Sequence, residues 1–206
     1  MDPEAQFING LLELQYGLDV QDKLTTIAHN VDWARGWPSN TISFWNAEAF
    51  MWSHKIEKKT RQLITNELSS LQGTNLDLGC GAYSYIPSTG FDISPKMLDF
   101  NDNLKEKVVG DVEKPLAFVD NEFDSVTAIF LLNYVTHYAQ LLSEIKRIVK
   151  GTFIMVLSAT KVNEWQRQKE KNHYDKEKWV SILENNFSVT VKEKDDLWFF
   201  TCTKQS

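Results

Sequence analysis

The pattern of apolar and polar residues along the chain changes near Gly73. Before this residue, apolar side chains recur every three or four positions, which is typical of amphipathic helices. After it, apolar runs of strand length alternate with polar loops and helical stretches. We therefore predict two parts, an N-terminal helical cap or lid with a lead-in helix over residues 1–72 and an α/β core over residues 73–206.

Three helical stretches form the predicted N-terminal part. The first covers residues 2–18 and begins at Asp2-Pro3, a good helix start, and the second begins near Asp22. The third starts at Ser43 and continues to Gly73, with an interruption near residues 53–54. Neither of the first two belongs to a strand–helix repeat, so we interpret them as an addition that covers the core.

The core contains a succession of apolar runs that we predict as strands, at residues 76–78, 90–93, 107–111, 125–130, 152–157, 188–191 and 197–203. Helices are predicted over 139–150, followed by Gly151 as the residue after the helix end, and over 175–186. Only residues 192–196 separate the last two strands, which is too few for a parallel crossover, so these strands form an antiparallel hairpin.

Glycines and acids stand where three successive strands end. The first strand stops at Gly79 and Gly81, which allow close backbone approach to a ligand. The second ends at Asp92, whose carboxylate can accept hydrogen bonds from two ribose hydroxyls, and the third ends at Asp111. A tight turn, a helix cap and a loop acid would explain each one alone. Together they predict a nucleoside-binding corner, which we call the nucleoside corner.

Two motifs in this region resemble those of class I S-adenosylmethionine (SAM) dependent methyltransferases of the type 11-like group. They are Asp77-Leu-Gly-Cys-Gly81 and Asp92-Ile-Ser-Pro95, and the stretch 110–134 also resembles the family pattern. The resemblance implies a Rossmann-like seven-stranded sheet of order 3-2-1-4-5-7-6, with helices on both faces. It also implies SAM as the methyl donor and S-adenosyl-L-homocysteine as the product.

The chain departs from that family pattern after Gly81. Ala82-Tyr-Ser84 stands where a third glycine is usual, and only eleven positions separate Gly81 from Asp92. Pro87 also disfavours a helix there. We expect the first crossover helix to be a stub or missing, so that Tyr83, Tyr85 or the tryptophan-rich N-terminal segment covers this flank.

The resemblance also implies a role for each residue of the cofactor site. The amides of Gly79, Cys80 and Gly81 would meet the methionine part of SAM, which Asp77 would orient through its amine or a water. Asp92 and Ile93 would meet the ribose, and Asp111 and Val112 the adenine. Phe130 and Leu131 would offer carbonyl groups to the methionine ammonium.

Candidate acceptor-binding and catalytic residues lie after the fourth and fifth strands and in the N-terminal part. Asn133, Tyr134 and His137 follow strand four, His173 and Tyr174 follow strand five, and His54 is a further candidate. For each histidine an ordinary surface or packing role competes. His137 is our candidate general base, because it follows directly on the edge of the sheet that holds the site.

Four tryptophans lie between residues 33 and 52. Trp45 and Trp52, with Ala49, stand at helical spacing, which favours the core over a pocket. Trp33 and Trp37 flank a Gly-Pro loop and are harder to bury as ordinary core. We therefore predict that Trp33 and Trp37 line a lid over an apolar or aromatic acceptor.

Composition limits the function classes. The net charge is −6 and the pI is near 5.3, which disfavours a general nucleic-acid surface. Two cysteines and the absence of a metal-ligand pattern indicate no disulfide framework and no metal site, and fit a reducing cytoplasm. No apolar run is long enough to span a bilayer and no secretion signal is visible, so we expect no membrane association.

The leading hypothesis is a methyltransferase that uses SAM to methylate nitrogen or oxygen of a small acceptor, with a protein acceptor left open. The alternative is a non-catalytic SAM-binding or partner-binding module of the same fold, since the short link after Gly81 could weaken the cofactor site. A nicotinamide dehydrogenase is disfavoured because Ser84 replaces the third glycine of that fingerprint.

Overall fold

The structure is a computed structural model that describes residues 2–52, 55–159, 167 and 169–204. The strands of its sheet are β1 (Asn75–Leu78), β2 (Ser88–Asp92), β3 (Leu104–Val109), β4 (Phe123–Ile129), β5 (Val149–Ser158), β6 (Phe187–Lys194) and β7 (Leu197–Lys204). They lie in the order β3-β2-β1-β4-β5-β7-β6, which confirms the order implied by the resemblance. Strands β1 to β5 are parallel, and β7 runs antiparallel to both β5 and β6.

Four of the seven α-helices in the described part of the chain begin at a side-chain cap. Asp2, Asn40, Ser94 and Asp175 each accept a hydrogen bond from a backbone amide three residues later. The helices are α1 (Pro3–Gln15), α2 (Gln21–Ala28), α3 (Thr41–Met51), α4 (Lys58–Leu68), α5 (Pro95–Phe100), α6 (Tyr138–Ile148) and α7 (Lys176–Leu183). None of them is long and apolar enough to cross a membrane.

Two predicted boundaries are wrong. Helix α6 ends at Ile148 and β5 begins at Val149, which pairs with Phe123, so Gly151 lies inside the strand rather than after a helix. The final hairpin turn is also tighter than the predicted 192–196, because β6 continues to Lys194. Lys192 and Lys194 both donate to Glu67 on α4, which holds the end of β6 against that helix.

Residues 79–87, between β1 and β2, contain no helix, which confirms that the first crossover helix is missing. Helix α4 instead covers this face of the sheet, in an apolar cluster that includes Ile64, Leu68 and Tyr85. The rings of Tyr83 and Tyr85 meet edge-to-face at 5.2 Å, and the Arg61 guanidinium lies 4.7 Å from the Tyr83 ring centre. Tyr83 and Tyr85 therefore cover this flank, which is one of the alternatives that the sequence left open.

On the opposite face, α6 and α7 pack over the sheet in the largest apolar cluster. Leu142, Ile145, Trp179 and Leu183 are fully buried there. The same cluster contains Phe153 of β5, from the central part of the sheet. The sheet is thus covered on both faces, which is required for parallel strands that are apolar on both sides.

A third apolar cluster joins α1, α2 and α3 at the N-terminus. The polar side chain of Asn46, on α3, connects this cluster to the core. Its Oδ1 accepts from Ser94 Oγ at 2.8 Å and from the Lys96 amide at 3.3 Å, and its Nδ2 donates to the Trp33 carbonyl at 2.9 Å. The cap therefore docks at the start of α5, directly after the predicted nucleoside corner.

Candidate cofactor and acceptor site

A cavity of about 580 Å³ opens at the carboxyl ends of β1, β2 and β4, where the order of the parallel strands reverses. We call it the cofactor cavity. Its size lies within the range of roughly 300–1,000 Å³ that is usual for small-ligand sites. Of the ten predicted cofactor residues, those that line it are Gly79, Gly81, Asp92, Ile93, Asp111, Val112, Phe130 and Leu131.

Gly79 and Gly81 shape the floor of the cavity. Both have positive φ angles, 58° and 56°, which residues other than glycine rarely adopt. A Cβ placed on Gly79 would stand 2.5 Å from Leu131 Cδ1, and one on Gly81 would stand 3.3 Å from the Trp52 ring. Glycine is therefore favoured by conformation at both positions, and a side chain at position 79 would also have to displace Leu131.

The amides of this loop are already used within the protein. The Gly79 and Cys80 amides donate to the Phe91 carbonyl at 2.7 and 3.4 Å, and the Gly81 amide donates to Asp92 Oδ2 at 2.9 Å. This departs from the expectation that these three amides meet the methionine part of SAM. The reason is the short link to β2, which folds the loop back onto the end of its neighbouring strand.

Asp92 has the position that was predicted for the ribose-binding acid. Its Oδ1 accepts from the Ser94 amide at 2.9 Å, and its Oδ2 accepts from Gly81. Burial raises the pKa of this carboxyl to about 6, although the amide hydrogen bonds oppose the shift. Each oxygen has a further lone pair for a ligand hydroxyl.

Asp77 and Cys80 do not line the cavity, which corrects their expected contact with SAM. Asp77 accepts from Ser84 Oγ at 2.6 Å and from Thr127 Oγ1 at 2.8 Å, and its burial raises the pKa of this carboxyl to about 6. Ser84, which replaces the third glycine, is thus the partner that fixes the loop on β1. Cys80 is buried behind the loop, with Sγ 2.9 Å from a Cβ placed on Gly90.

Phe130, directly after β4, has a positive φ of 57° that is unusual for a residue with a side chain. Its amide donates to the Val156 carbonyl at 2.8 Å, which holds the residue in this conformation. Strained backbone of this kind concentrates at functional sites. Phe130 and Leu131 thus lie where the predicted carbonyl acceptors were expected, at the carboxyl end of β4.

Glu113 connects the loop after β3 to the segment after β4, a role that no sequence motif indicated. Its carboxylate accepts from the amides of Thr136 at 2.6 Å and His137 at 2.9 Å, and lies 2.8 Å from His137 Nδ1. Partial burial opposes the charge, but these hydrogen bonds lower the pKa of Glu113 overall. His137 lines the cavity, as predicted, with its ring oriented by this carboxylate.

The aromatic wall of the cavity contains Trp45 and Trp52, which were predicted to favour the core, and Tyr134. Trp45 meets Tyr134 edge-to-face at 5.1 Å, and both line the cavity together with Trp52. Burial raises the pKa of the Tyr134 hydroxyl. Trp33 and Trp37 are not among the lining residues, so the prediction that they line a lid over the acceptor is wrong. They pack around Phe7 in the N-terminal cluster, because α1 supplies the apolar partners that the sequence pattern alone did not place beside them.

The remaining predicted acceptor residues lie in a second cavity of about 310 Å³ beside the ends of β5 and β7. Asn133, His173 and Tyr174 line it, together with Glu170. Glu170 lies 2.9 Å from His173 Nδ1 and accepts from Asn133 Nδ2 at 3.4 Å. The structure thus separates Asn133 from its neighbour Tyr134, and His54 lies outside the described residues.

The cofactor cavity fits SAM. Asp92 offers acceptors for ribose hydroxyls, and the floor at Gly79 and Gly81 has no side chains. Trp52 is one of the lining residues, and its Nε1–H is buried and has no hydrogen-bond partner among the described residues. Within the same residues no group of three or more His, Cys, Asp or Glu side chains could hold a metal ion.

Comparisons with known proteins agree with this geometry. Residues 76–156 match a family model described as a methyltransferase domain, whereas curated proteins give no significant match. A chain from the complex between the Haloferax volcanii Trm112 methyltransferase activator and a methyltransferase superimposes with a TM-score of 0.63 at 19% identity, over 79% of this chain and 98% of the other. Two SAM-dependent methyltransferases also superimpose with TM-scores of 0.59. The Aquifex aeolicus protein is 15% identical, and the match covers 78% of this chain and 98% of the other. The Thermotoga maritima protein is 16% identical, and the match covers 77% of this chain and 94% of the other.

Identities this low establish the fold alone, and the family model adds a match to a methyltransferase domain over residues 76–156. The strand order and the cofactor cavity at the reversal of strand order belong to the same fold. Residues 76–156 thus match a methyltransferase domain, and the chain has the Rossmann-like fold that is also found in SAM-dependent methyltransferases.

Proposed function

We propose that this protein transfers the methyl group of SAM to a nitrogen or oxygen atom of a small, apolar or aromatic acceptor. One observation carries the proposal. The cofactor cavity joins the nucleoside corner to an aromatic wall formed by Trp45 and Tyr134, so that one space offers room for a cofactor and a ring-shaped acceptor. The net charge of −6 supports a small molecule over a nucleic acid, and a protein acceptor is the second choice.

Cofactor orientation follows from the polar residues at the ends of the strands. Asp92 would accept the ribose hydroxyls, with Ile93 beside the sugar, and Asp111 and Val112 would face the adenine. The methionine part would then extend along Gly79 and Gly81 toward Phe130 and Leu131. Asp77 acts indirectly in this arrangement, since it holds Ser84 and with it the loop.

The methyl group that SAM supplies is bound to a sulfonium, which is already a good leaving group. The residues of the chain need mainly to align the acceptor in line with that bond and to exclude water. Alignment of this kind can supply roughly 7–11 kcal/mol of the barrier. Trp45 and Tyr134 are the proposed aligning surfaces, since their rings meet at a fixed angle of 82° in the wall of the cavity.

His137 is the proposed general base for an acceptor that carries a proton. Because the Glu113 carboxylate lies 2.8 Å from Nδ1, the proton of a neutral imidazole is placed on Nδ1 and the Nε2 lone pair is left free. A base in this role contributes about 10²–10⁴-fold to the rate. His137→Gln should therefore lower kcat by at least about 100-fold while SAM affinity is retained.

The N-terminal part, residues 1–72, is the proposed cap and lead-in helix of this enzyme, and residues 73–206 its SAM-binding core. The docking of Asn46 on Ser94 and the exposure of Trp45 and Trp52 to the cavity support this division. Deletion of residues 1–40 should abolish or greatly weaken SAM binding, and unchanged affinity would show that the core binds SAM alone. A reducing cytoplasmic location is proposed from the two free, buried cysteines.

A non-catalytic SAM-binding or partner-binding module is the second candidate. It is favoured by the engagement of the Gly79, Cys80 and Gly81 amides within the protein, which leaves fewer donors for the cofactor. The methyltransferase from Haloferax volcanii was solved in a complex with an activator protein, so a protein partner is a reasonable role for this fold.

Calorimetry with SAM, followed by mass spectrometry of small-molecule acceptor panels, separates the two candidates. The enzyme is supported by SAM binding together with a product that is one methyl group heavier and requires the protein. Asp92→Ala is the matched negative control and should bind SAM poorly. SAM binding without any methylated product from small molecules or proteins would favour the module.

A further inference from the structure

The indole of Trp52 lies beside the part of the cofactor cavity where the loop after β1 turns. Its ring stands 3.3 Å from a Cβ placed on Gly81, and its Nε1 stands 3.5 Å from the same point. Trp52 follows the last residue of α3 and belongs to the cap. A residue of the cap thus forms part of the wall at the glycine loop.

The Nε1–H of Trp52 is buried and has no hydrogen-bond partner among the described residues. A buried polar group without a partner is energetically costly, so such groups need an explanation. A ligand in the cavity would supply the missing acceptor, because Trp52 itself lines that cavity. An indole N–H can only donate, so its partner must be an acceptor such as a carboxylate oxygen.

The glycine loop has no free backbone amide that could donate a hydrogen bond to such a carboxylate. The amides of Gly79, Cys80 and Gly81 all donate to Phe91 or Asp92. No helix begins in residues 79–87, so the partial positive charge of a helix N-terminus, which often stabilises an anion, is also missing here. An anionic group beside Gly81 therefore needs a donor from another part of the chain.

We propose that Trp52 donates its indole N–H to the carboxylate of the methionine part of SAM and so replaces the donors that the missing first crossover helix would provide. This inference rests on the proposed function, in which the acids at the ends of β2 and β3 fix the nucleoside and direct the amino-acid end toward Gly81. The ammonium group of that end has no lone pair to accept from Trp52, which leaves the carboxylate as the partner. Trp52 is thus a cofactor-binding residue carried by the cap.

Two ligands test this assignment, SAM and decarboxylated SAM, which keeps the ammonium and lacks the carboxylate. Trp52→Phe should raise the Kd of SAM about tenfold or more, since hydrogen bonds to charged groups are among the stronger ones. The Kd of decarboxylated SAM should change less than about threefold, because that ligand offers no acceptor. Both values are measured by calorimetry on the full chain.

Trp179→Phe is the matched control. Trp179 is fully buried, its Nε1 likewise has no partner among the described residues, and it packs against Tyr138 and Tyr174 away from the cofactor cavity. Removing this N–H should leave the Kd of SAM unchanged. A second variant carries 3-benzothienylalanine at position 52, which keeps the bicyclic ring and replaces the N–H with sulfur, so that a loss of affinity cannot arise from a smaller ring.

Three outcomes would overturn the proposal. Wild-type affinity for SAM in the Phe or benzothienyl variant would show that the N–H is not used. Equal losses for SAM and decarboxylated SAM would show that Trp52 acts through packing alone. Failure of the wild-type protein to bind either ligand would overturn the proposed function and this inference with it, whereas the first two outcomes leave the proposed function intact.

Discussion

Trp33 and Trp37 lie close in sequence to Trp45 and Trp52, but the two pairs have opposite surroundings. Trp37 is 2% exposed and meets the Phe7 ring edge-to-face at 5.6 Å, while Trp33 Nε1 donates to Glu4 Oε1 at 2.8 Å. Trp45 and Trp52 line the cofactor cavity instead. The rings of the first pair pack against Phe7 and Phe50 within the cap, and the second pair lines the space for ligands.

Tryptophans of one segment thus serve two purposes, since one pair stabilises the cap and the other faces a ligand site. In the cap, the Trp33 N–H has a protein partner and its ring stacks on Phe50 at 5.1 Å. At the cavity, the Trp52 N–H has no partner among the described residues. An unsatisfied donor in a cavity wall is thus a better indicator of a ligand site than the exposure of a loop tryptophan.

Among the variants that test the contrast between the two tryptophan pairs, the largest expected effect is on the stability of a Trp37 variant. Trp37→Ala should lower the free energy of unfolding by about 3–5 kcal/mol, because it empties a site in the cluster of α1, α2 and α3. Urea denaturation measures the change. Trp37→Phe should also lower the free energy of unfolding, by a large part of the loss seen in the alanine variant. A change below about 1 kcal/mol for the alanine variant would contradict the assignment of Trp37 to the core.

Asn46 joins the two regions, and its replacement should have the next largest effect. Asn46→Ala should cost about 1–3 kcal/mol of unfolding free energy, because the buried Ser94 hydroxyl and Trp33 carbonyl lose a partner. SAM affinity should fall as well, since the cap loses its attachment beside Asp92. Asn185→Ala, at an exposed position after α7, is the control and should show a smaller loss in stability and none in affinity.

Trp45→Ala should affect the acceptor more than stability. An aromatic acceptor would lose its contact with the Trp45 ring in the cavity wall, and a contact of this kind is worth about 0.5–1.5 kcal/mol, so the KM for a small aromatic acceptor should rise about two- to tenfold. The Kd of SAM should stay within about twofold of the wild-type value, since the proposed cofactor contacts lie on other residues. An unchanged acceptor KM together with a large loss in stability would place Trp45 in the same class as Trp37.

The smallest expected effect is a pH dependence that separates Asp92 from Asp77. The ribose hydroxyls donate to the ionised form of Asp92, whose pKa is about 6 in the ligand-free protein, so the Kd of SAM should rise several-fold as the pH falls from about 7 to 5. Asp92→Asn should remove this dependence, and Asp77→Asn should retain it. A pH dependence that disappears only in Asp77→Asn would show that the two acids have exchanged roles.

The sign is opposite for the stability of the ligand-free protein. Both carboxyls have a pKa near 6 when folded, above the value of about 3.9 expected for an unfolded chain. Between these values the folded state binds more protons, so the contribution of both groups to the unfolding free energy should increase as the pH falls from about 7 to 4. Asp77→Asn should reduce this slope in urea titrations.

The sequence predicted the features that depend on residues close together in the chain, such as glycines and acids at strand ends and the length of the link between two strands. The short interval between Gly81 and Asp92 excluded a full crossover helix, and the structure has none. The glycines and acids at the strand ends likewise predicted most of the cofactor cavity, because the carboxyl ends of parallel strands meet at one edge.

Features that depend on partners distant in sequence were not predictable in this way. All residues of β1 are buried, so its pattern does not show which side chain faces a ligand, and Asp77 points instead to Ser84 and Thr127. The orientation of Trp37 depends on Phe7 of α1, and the role of Glu113 depends on amides more than twenty residues further along the chain. Helical spacing places Trp45 and Trp52 on one face and leaves open what that face meets.

The missing helix between β1 and β2 also has a consequence for how the chain folds. Neighbouring parallel strands are usually joined by a dozen or more residues, whereas here the link is residues 79–87. Because the entropic cost of closing a loop grows with its length, β1 and β2 meet at a lower cost than most parallel pairs do. We expect this pair to form early in folding and to act as part of the nucleus on which β4 and the remaining strands assemble.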